Sequence, residues 1–185
     1  MTEQHGTLRH TMDKASDVIG GLMGRAVAKT SGAASTPAFI ENAAIGNLYE
    51  IRAAQVALQR SRSDDVRDVA RRMITDHTAM THHMHSALRM TETEGMPTPP
   101  IDLDTRRRKL VEHLEAAPDD AFDKTYLDQQ VLAHKENHDL LSGYVRSGGN
   151  PQLRSLAAAS EPVVKRHLVA IERLQAEVRG SLPTS

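Results

Sequence analysis

Cysteine and tryptophan are absent from this 185-residue chain. Without cysteine there is no disulfide framework, thiolate zinc site, iron–sulfur cluster or cysteine nucleophile, so a transition metal would have to be held by histidine and carboxylate side chains. Aromatic residues are few, three Tyr and two Phe, and β-branched runs are scarce, which disfavours a β-sandwich or barrel. An excess of charge of either sign is missing as well, 23 Lys and Arg facing 24 Asp and Glu. Neutralising nucleic-acid phosphates needs a basic surplus, so nucleic acid is not an expected partner. No run of about 18 apolar residues occurs, and no transmembrane segment is expected. The stretch Val18 to Gly24 lies between Asp17 and Arg25 and follows Glu3 and Asp13, a poor fit to a secretory signal. The location expected on these grounds is cytoplasmic. His-Glu-x-x-His, a glycine-rich phosphate loop and Gly-x-Ser-x-Gly are lacking too, which leaves hydrolase and nucleotide chemistry without support.

What is present is a preponderance of good helix formers, Ala, Leu, Arg, Glu, Gln and Met, and the class expected is all-α. Residues 1–36 read as an appendage: a short amphipathic helix around Leu8 to Lys29, weakened by three Gly, then the small-residue linker Thr30 to Thr36. Residues 37–180 read as one bundle. Its first helix begins near Pro37, with Thr36 as N-cap, and runs to about Arg60. Ser63 caps a second helix that carries Asp64 and Asp65 in its first turn and ends near Met90. Gly95 and three Pro then break the chain before a short amphipathic helix from Leu103 to Leu114. A third long helix is expected over Asp119 to Arg146. A short piece, Leu153 to Ala159, then leads to Ser160-Glu161-Pro162 as the start of a fourth long helix reaching Val178. Two helical hairpins joined by a long crossover containing a short helix make a four-helix bundle.

Unrolling each helix at about 100° per residue exposes the polar residues that fall on apolar stripes. His77 sits among Val66, Ala70, Met73, Ile74, Met80, Met84 and Leu88. His134 lies among Leu127, Val131, Leu141 and Val145, and His167 among Val163, Val164, Ala170, Ile171, Leu174 and Val178. The first helix has a small-residue face of Ala43, Gly46, Ala53, Ala54 and Ala57 that carries one charge, Glu50. Each of the four is about halfway along its helix, so Glu50, His77, His134 and His167 can meet at one level of a bundle. A buried carboxylate facing three imidazoles offers a metal's ligand set or, as the rival reading, a metal-free Glu–His hydrogen-bond network. Zn²⁺, Fe²⁺, Mn²⁺ and Cu²⁺ suit such ligands, zinc and iron foremost.

Asp76 stands beside the stripe, placed to orient a neighbouring His, and His138, four residues after His134, is a substitute or supporting ligand. Met73, Met80 and Met84 read as core filler. His82, His83 and His85 point to different sides of their helix and read as a loose surface cluster. The run Arg106-Arg107-Arg108-Lys109, surrounded by acidic residues, reads as a solvated face. No Glu precedes a His by three residues, so the Glu-x-x-His pairs of di-iron bundles are missing and ferroxidase chemistry is not expected.

The segments Phe39 to Ile51 and Arg72-Met73-Ile74-Thr75-Asp76-His77-Thr78 resemble the first hairpin of the bacterial ferritin-like domain-of-unknown-function family numbered four-one-four-two. Phe122-Asp123-Lys124-Thr125-Tyr126-Leu127, Ala133-His134 and Glu161 to Leu168 are similar to its second hairpin. The resemblance spans about Pro37 to Val178. It implies a ferritin-like four-helix bundle whose recurring polar residues match Glu50, Asp76, His77, His134 and His167. It also implies export, and hence a periplasmic alternative to the cytoplasm. The expected function is a metal-binding bundle with one mononuclear His/Glu site, in metal homeostasis or stress response and without an indicated catalytic residue. The alternative is a metal-free interaction protein that docks through its bundle surface or N-terminal segment. A metal ion is the expected partner, and self-association as a homo-oligomer is left open.

Overall fold

The computed structural model describes residues 35–180, and the regular elements among them are all helical. They are α1 (Thr36–Arg60), α2 (Asp64–Ala87), α3 (Thr105–Glu115), α4 (Phe122–Ser147) and α5 (Pro151–Gly180), with one 3₁₀ turn at Thr91–Thr93. The Leu8 to Lys29 helix and most of the linker expected from the sequence lie outside the described residues.

Four long helices pack in a square, because α1 lies against α2 and α4, and α5 lies against the same two. Contacts at the helix ends set the directions. Arg60, closing α1, donates to the Leu114 and Glu115 carbonyls at 3.2 and 2.8 Å and to Asp119 at 2.6 Å, just ahead of α4. At the other end the Thr36 and Tyr144 hydroxyls meet at 2.8 Å, tying the start of α1 to the end of α4. The connection from α2 to α4 therefore climbs the length of the bundle, and neighbouring long helices run antiparallel.

The helix ends follow from local chemistry. Ser35, not Thr36, caps α1 by accepting from the Ala38 N–H at 3.5 Å, and Pro37 sits in the first turn, where its missing N–H is no loss. Ser63 caps α2 and Asp104 caps α3. α4 begins at Phe122 rather than Asp119 because the Ala121 N–H bonds back to the Pro118 carbonyl at 3.0 Å, closing a turn first. At α4's end the ring of Tyr144 would stand 2.5 Å from a Cβ on residue 148, so Gly148 is needed there for space.

The largest departure from expectation is α5. One helix runs from Pro151 to Gly180 with Pro162 inside it, where the sequence reads as a short piece followed by a new helix capped at Ser160. The Ser160 hydroxyl instead donates to the Leu156 carbonyl at 2.9 Å, within the helix. An interior proline costs a helix about 3 kcal/mol. Burial outweighs it: Leu153, Ala157, Val164, Ile171 and Leu174 recur at spacings of four, seven, seven and three residues and all face the core, at about 1.5–3 kcal/mol for each larger side chain.

All five aromatic residues are buried. Phe39 stacks on Tyr144 with centroids 3.9 Å apart at one end, and the Arg60 guanidinium lies 4.7 Å over Phe122 at the other. Between the ends the core falls into two apolar halves. One contains Met73, Val131 and Ile171, the other Met80, Leu140 and Val164. Val145, expected on the α4 stripe, is 37% exposed, because the stripe turns away from the core near the helix end.

The basic run of α3 is not simply a solvated face. Arg106 makes two parallel bonds to Glu136 of α4, at 2.8 and 2.6 Å, and Arg107, held by Asp104 at 2.7 Å, also lies 3.7 Å from the Glu136 carboxylate. Two of the four basic residues thus clamp the crossover helix onto α4, while Arg108 and Lys109 stay exposed. At the opposite end, the cap of α5 also fastens the crossover: Asn150 Oδ1 accepts from the Leu153 N–H at 3.0 Å, and its Nδ2 donates to the Glu92 carbonyl at 2.7 Å. Asn150→Ala should therefore cost about 1–2 kcal/mol, read as a lower urea midpoint at an unchanged slope. An unaltered midpoint would show that neither bond contributes.

Candidate metal centre

His77 on α2, His134 on α4 and His167 on α5 stand between the two apolar halves, at 0%, 0% and 3% exposure. Met73 and Met80 flank His77 along α2, and Val164 and Ile171 flank His167 along α5, so packing above and below sets the level of each imidazole. The three rings form a near-equilateral triangle with centroids 5.6, 5.7 and 5.6 Å apart. One nitrogen from each lies within 4.8 Å of one from each of the others, a grouping that could hold a metal ion.

Each imidazole has one nitrogen engaged by an oxygen acceptor. His77 Nδ1 faces Asn47 Oδ1 at 2.9 Å, His134 Nδ1 faces the Gln130 carbonyl at 3.0 Å, and His167 Nε2 faces Asp76 Oδ2 at 2.7 Å. A carbonyl or carboxylate oxygen can only accept, so each engaged nitrogen carries the proton. The opposite nitrogens, His77 Nε2, His134 Nε2 and His167 Nδ1, are buried with no hydrogen-bond partner. They are lone-pair donors.

Burial keeps these rings uncharged. It holds His134 down at about 3, with the neighbouring His167 adding to the effect and the Gln130 carbonyl opposing it. His77 is held well below the ordinary imidazole range by burial and by the other two rings. His167 is lowered by burial against the opposing pull of the Asp76 carboxylate. Neutral imidazole is the form that coordinates metals.

Glu50 is as deeply buried as the histidines, at 1% exposure, but it is not in the group of three. Its Oε1 lies 3.3 Å from His134 Nδ1, on the protonated side of that ring. Burial pushes its carboxyl up to about 8, with the Gln130 side chain and Arg107 opposing. The buried hydroxyl of Tyr126, one helical turn before Gln130, is unpartnered.

The remaining sequence candidates divide. Asp76 orients a histidine, though it is His167 across the interface rather than its chain neighbour His77. His138 is separate from the triad: its Nε2 pairs with Glu161 at 2.8 Å on a partly exposed surface. His82, His83 and His85 are exposed. Gly46 is only half-buried and a Cβ there would meet nothing, so the close approach of α1 rests on Ala43, Ala53, Ala54 and Ala57. Two supporting groups escaped the sequence reading. Asn47 shares the small-residue face with Glu50, three positions away, and this spacing was the available signal. The Gln130 backbone carbonyl has no sequence signature at all.

The family model of DUF4142, a domain of unknown function, matches residues 22–174. The chain belongs to DUF4142. The match takes in all three histidines together with Asn47, Glu50 and Asp76, and it begins ahead of the described residues. No curated protein and no solved structure matches the chain.

In this DUF4142 domain the buried groups make stability depend on pH from both sides. As pH rises from 4.5 toward 8, the unfolded chain's Glu50 ionises while the folded one resists, and stability is lost. As pH falls from 6.5 toward 3, the unfolded histidines take up protons that folded His134 refuses, and stability is lost again. Because three histidines oppose one carboxyl, chelator-treated protein should be most stable near about pH 6.5–7. Glu50→Gln should abolish the loss on the alkaline side and leave the acidic one, as read from urea midpoints across the range. An identical alkaline decline in the variant would exonerate Glu50.

Proposed function

We propose that this domain binds one divalent transition-metal ion in its core, with His77 Nε2, His134 Nε2 and His167 Nδ1 as ligands and Glu50 outside the ligand set. The observation that carries the reading is the orientation of the imidazoles: each donates its N–H outward to an oxygen and leaves a partnerless lone pair among the other two rings. An unpaired buried polar atom costs about 1–3 kcal/mol. Three amount to roughly 3–9 kcal/mol, comparable with the whole stability of a domain at about 5–15 kcal/mol. A shared proton could relieve two lone pairs but not the third, and burial opposes protonation. A cation relieves all three.

Three neutral nitrogen donors suit zinc and iron(II), and a small inward shift of the side chains would bring them to the ~2.0–2.1 Å of zinc–imidazole bonds. Three protein ligands leave a fourth position for water or a small ligand. The oxygens of Asn47, Gln130 and Asp76 behind the rings fix each tautomer and raise ligand basicity. A two-metal carboxylate centre has no comparable support, since among the described residues Glu50 is the one carboxylate buried beside the rings.

Untagged protein loaded with zinc or iron should retain one ion per chain and melt at a higher temperature than the chelated form, because the ion binds the folded state alone. Each of His77→Ala, His134→Ala and His167→Ala should abolish retention. Asp76→Asn should weaken it by about 10–100-fold, and His138→Ala and His82→Ala should leave it intact. Absence of both retention and any melting shift across zinc, iron, manganese and copper would reject the reading in favour of a metal-free hydrogen-bond network.

A further inference from the structure

A cavity of about 20 Å³ lies in the core on the Phe39–Tyr144 side of the histidine layer. Its walls include Ala43 and Asn47 of α1, Met80 and Met84 of α2, Asn137 of α4 and Ser160 of α5. Its walls stand one helical turn from the triad: Met80 follows His77 by three residues, Asn137 follows His134 by three, and Asn47 is itself bonded to His77. A second cavity of about 120 Å³ lies between α1, α2 and the Pro99–Ile101 stretch of the crossover. Asn47 and Met84 line both. The outer chamber reaches the surface at His85 and at Ile101, which is 82% exposed. One water needs about 10–15 Å³ of such volume, so the outer chamber takes several waters and the inner one roughly one.

We infer that these two chambers are the route by which a divalent ion reaches the three histidines, with Asn47 and Met84 as the partition between them. The inference rests on the metal reading above. An ion entering a core must exchange water ligands for protein ones at each step, because a bare charge in an apolar medium is prohibitively costly. The walls supply such donors in order: the imidazole of His85 at the mouth, the Met84 thioether and Asn47 amide at the partition, then the Asn137 amide one helical turn from His134. The opposite side of the layer also carries polar groups, the Glu50 carboxyl and the Tyr126 hydroxyl, but they are set in close packing. There Tyr126, Leu127, Phe122 and Ile171 are at most 2% exposed and pack in one apolar half. On the flank, the His167–Asp76 bond closes the approach at 2.7 Å.

The test is the rate of zinc uptake by the full, chelator-stripped chain, followed in stopped flow by competition with a chromogenic chelator. Ala44 lines the outer chamber, and Ala44→Leu should slow uptake by about tenfold or more, since a narrowed passage raises the barrier. Met84→Ala, which removes the partition, should accelerate it several-fold. Leu127→Ala truncates the other apolar half to a similar extent and should stay within about twofold of wild type, which separates a specific passage from general loosening of the core. All three variants should still bind one ion, and circular dichroism and melting temperature establish that each is folded. Uptake unchanged in both Ala44→Leu and Met84→Ala, or accelerated equally by Leu127→Ala, would overturn the route while leaving the metal site standing. Failure of wild type to take up any ion would instead strike the metal reading, and the route with it.

Discussion

Three uncharged imidazoles share one buried layer of this bundle, and most of its architecture can be understood as the means of holding them there. A neutral imidazole has one donor and one acceptor nitrogen, so burying it obliges the fold to supply an acceptor on one side and something electron-poor on the other. The first obligation is met three times, by a side-chain amide, a backbone carbonyl and a carboxylate. The second converges on a single point. That convergence couples the registers of α2, α4 and α5, since moving any one helix by a residue would swing its ring about 100° away.

Apolar packing alone would specify the registers less strictly. Apart from five aromatic residues, the two halves of the core are built from Ala, Val, Leu, Ile and Met, which tolerate repacking at modest cost. The histidine layer interrupts them and gives the bundle a polar reference level. α1 supplies no imidazole, yet its run of alanines allows a close approach that brings Asn47 behind His77 and Glu50 behind His134. Small residues on this helix therefore serve the site as directly as the polar ones do.

The two faces of the layer differ in kind. Glu50 and Tyr126 lie with the tightly packed half, where burial holds the carboxyl in its protonated form up to about pH 8. On the other face a chamber with amide and hydroxyl groups in its walls lies one helical turn away. The crossover contributes to both the closure and the opening. Its helix is clamped by Arg106 and Arg107 to Glu136 on α4, while its Pro99–Ile101 stretch borders the outer chamber. Long connections in bundles are usually regarded as a topological necessity, but here this one also shapes the path between solvent and core.

Helical periodicity, capping serines and prolines were enough to read four long helices, a crossover with a short helix, and the level at which His77, His134 and His167 meet, because those features are encoded within single helices. Membership of DUF4142 was legible in the same local motifs. Other properties depend on neighbours distant in the chain. Whether Ser160-Glu161-Pro162 begins a helix or lies within one was decided by the burial of Leu153 and Ala157 in the same groove as Val164 and Ile171. The solvated reading of the Arg106 run failed because its partner, Glu136, is 30 residues away on another helix. Glu50 was expected among the ligands, but periodicity gives an azimuth and a height, not the direction of the last three side-chain torsions. Only packing turned its carboxylate to the protonated nitrogen of His134, just as only packing assigned Asp76 to His167 and left three lone pairs facing one another.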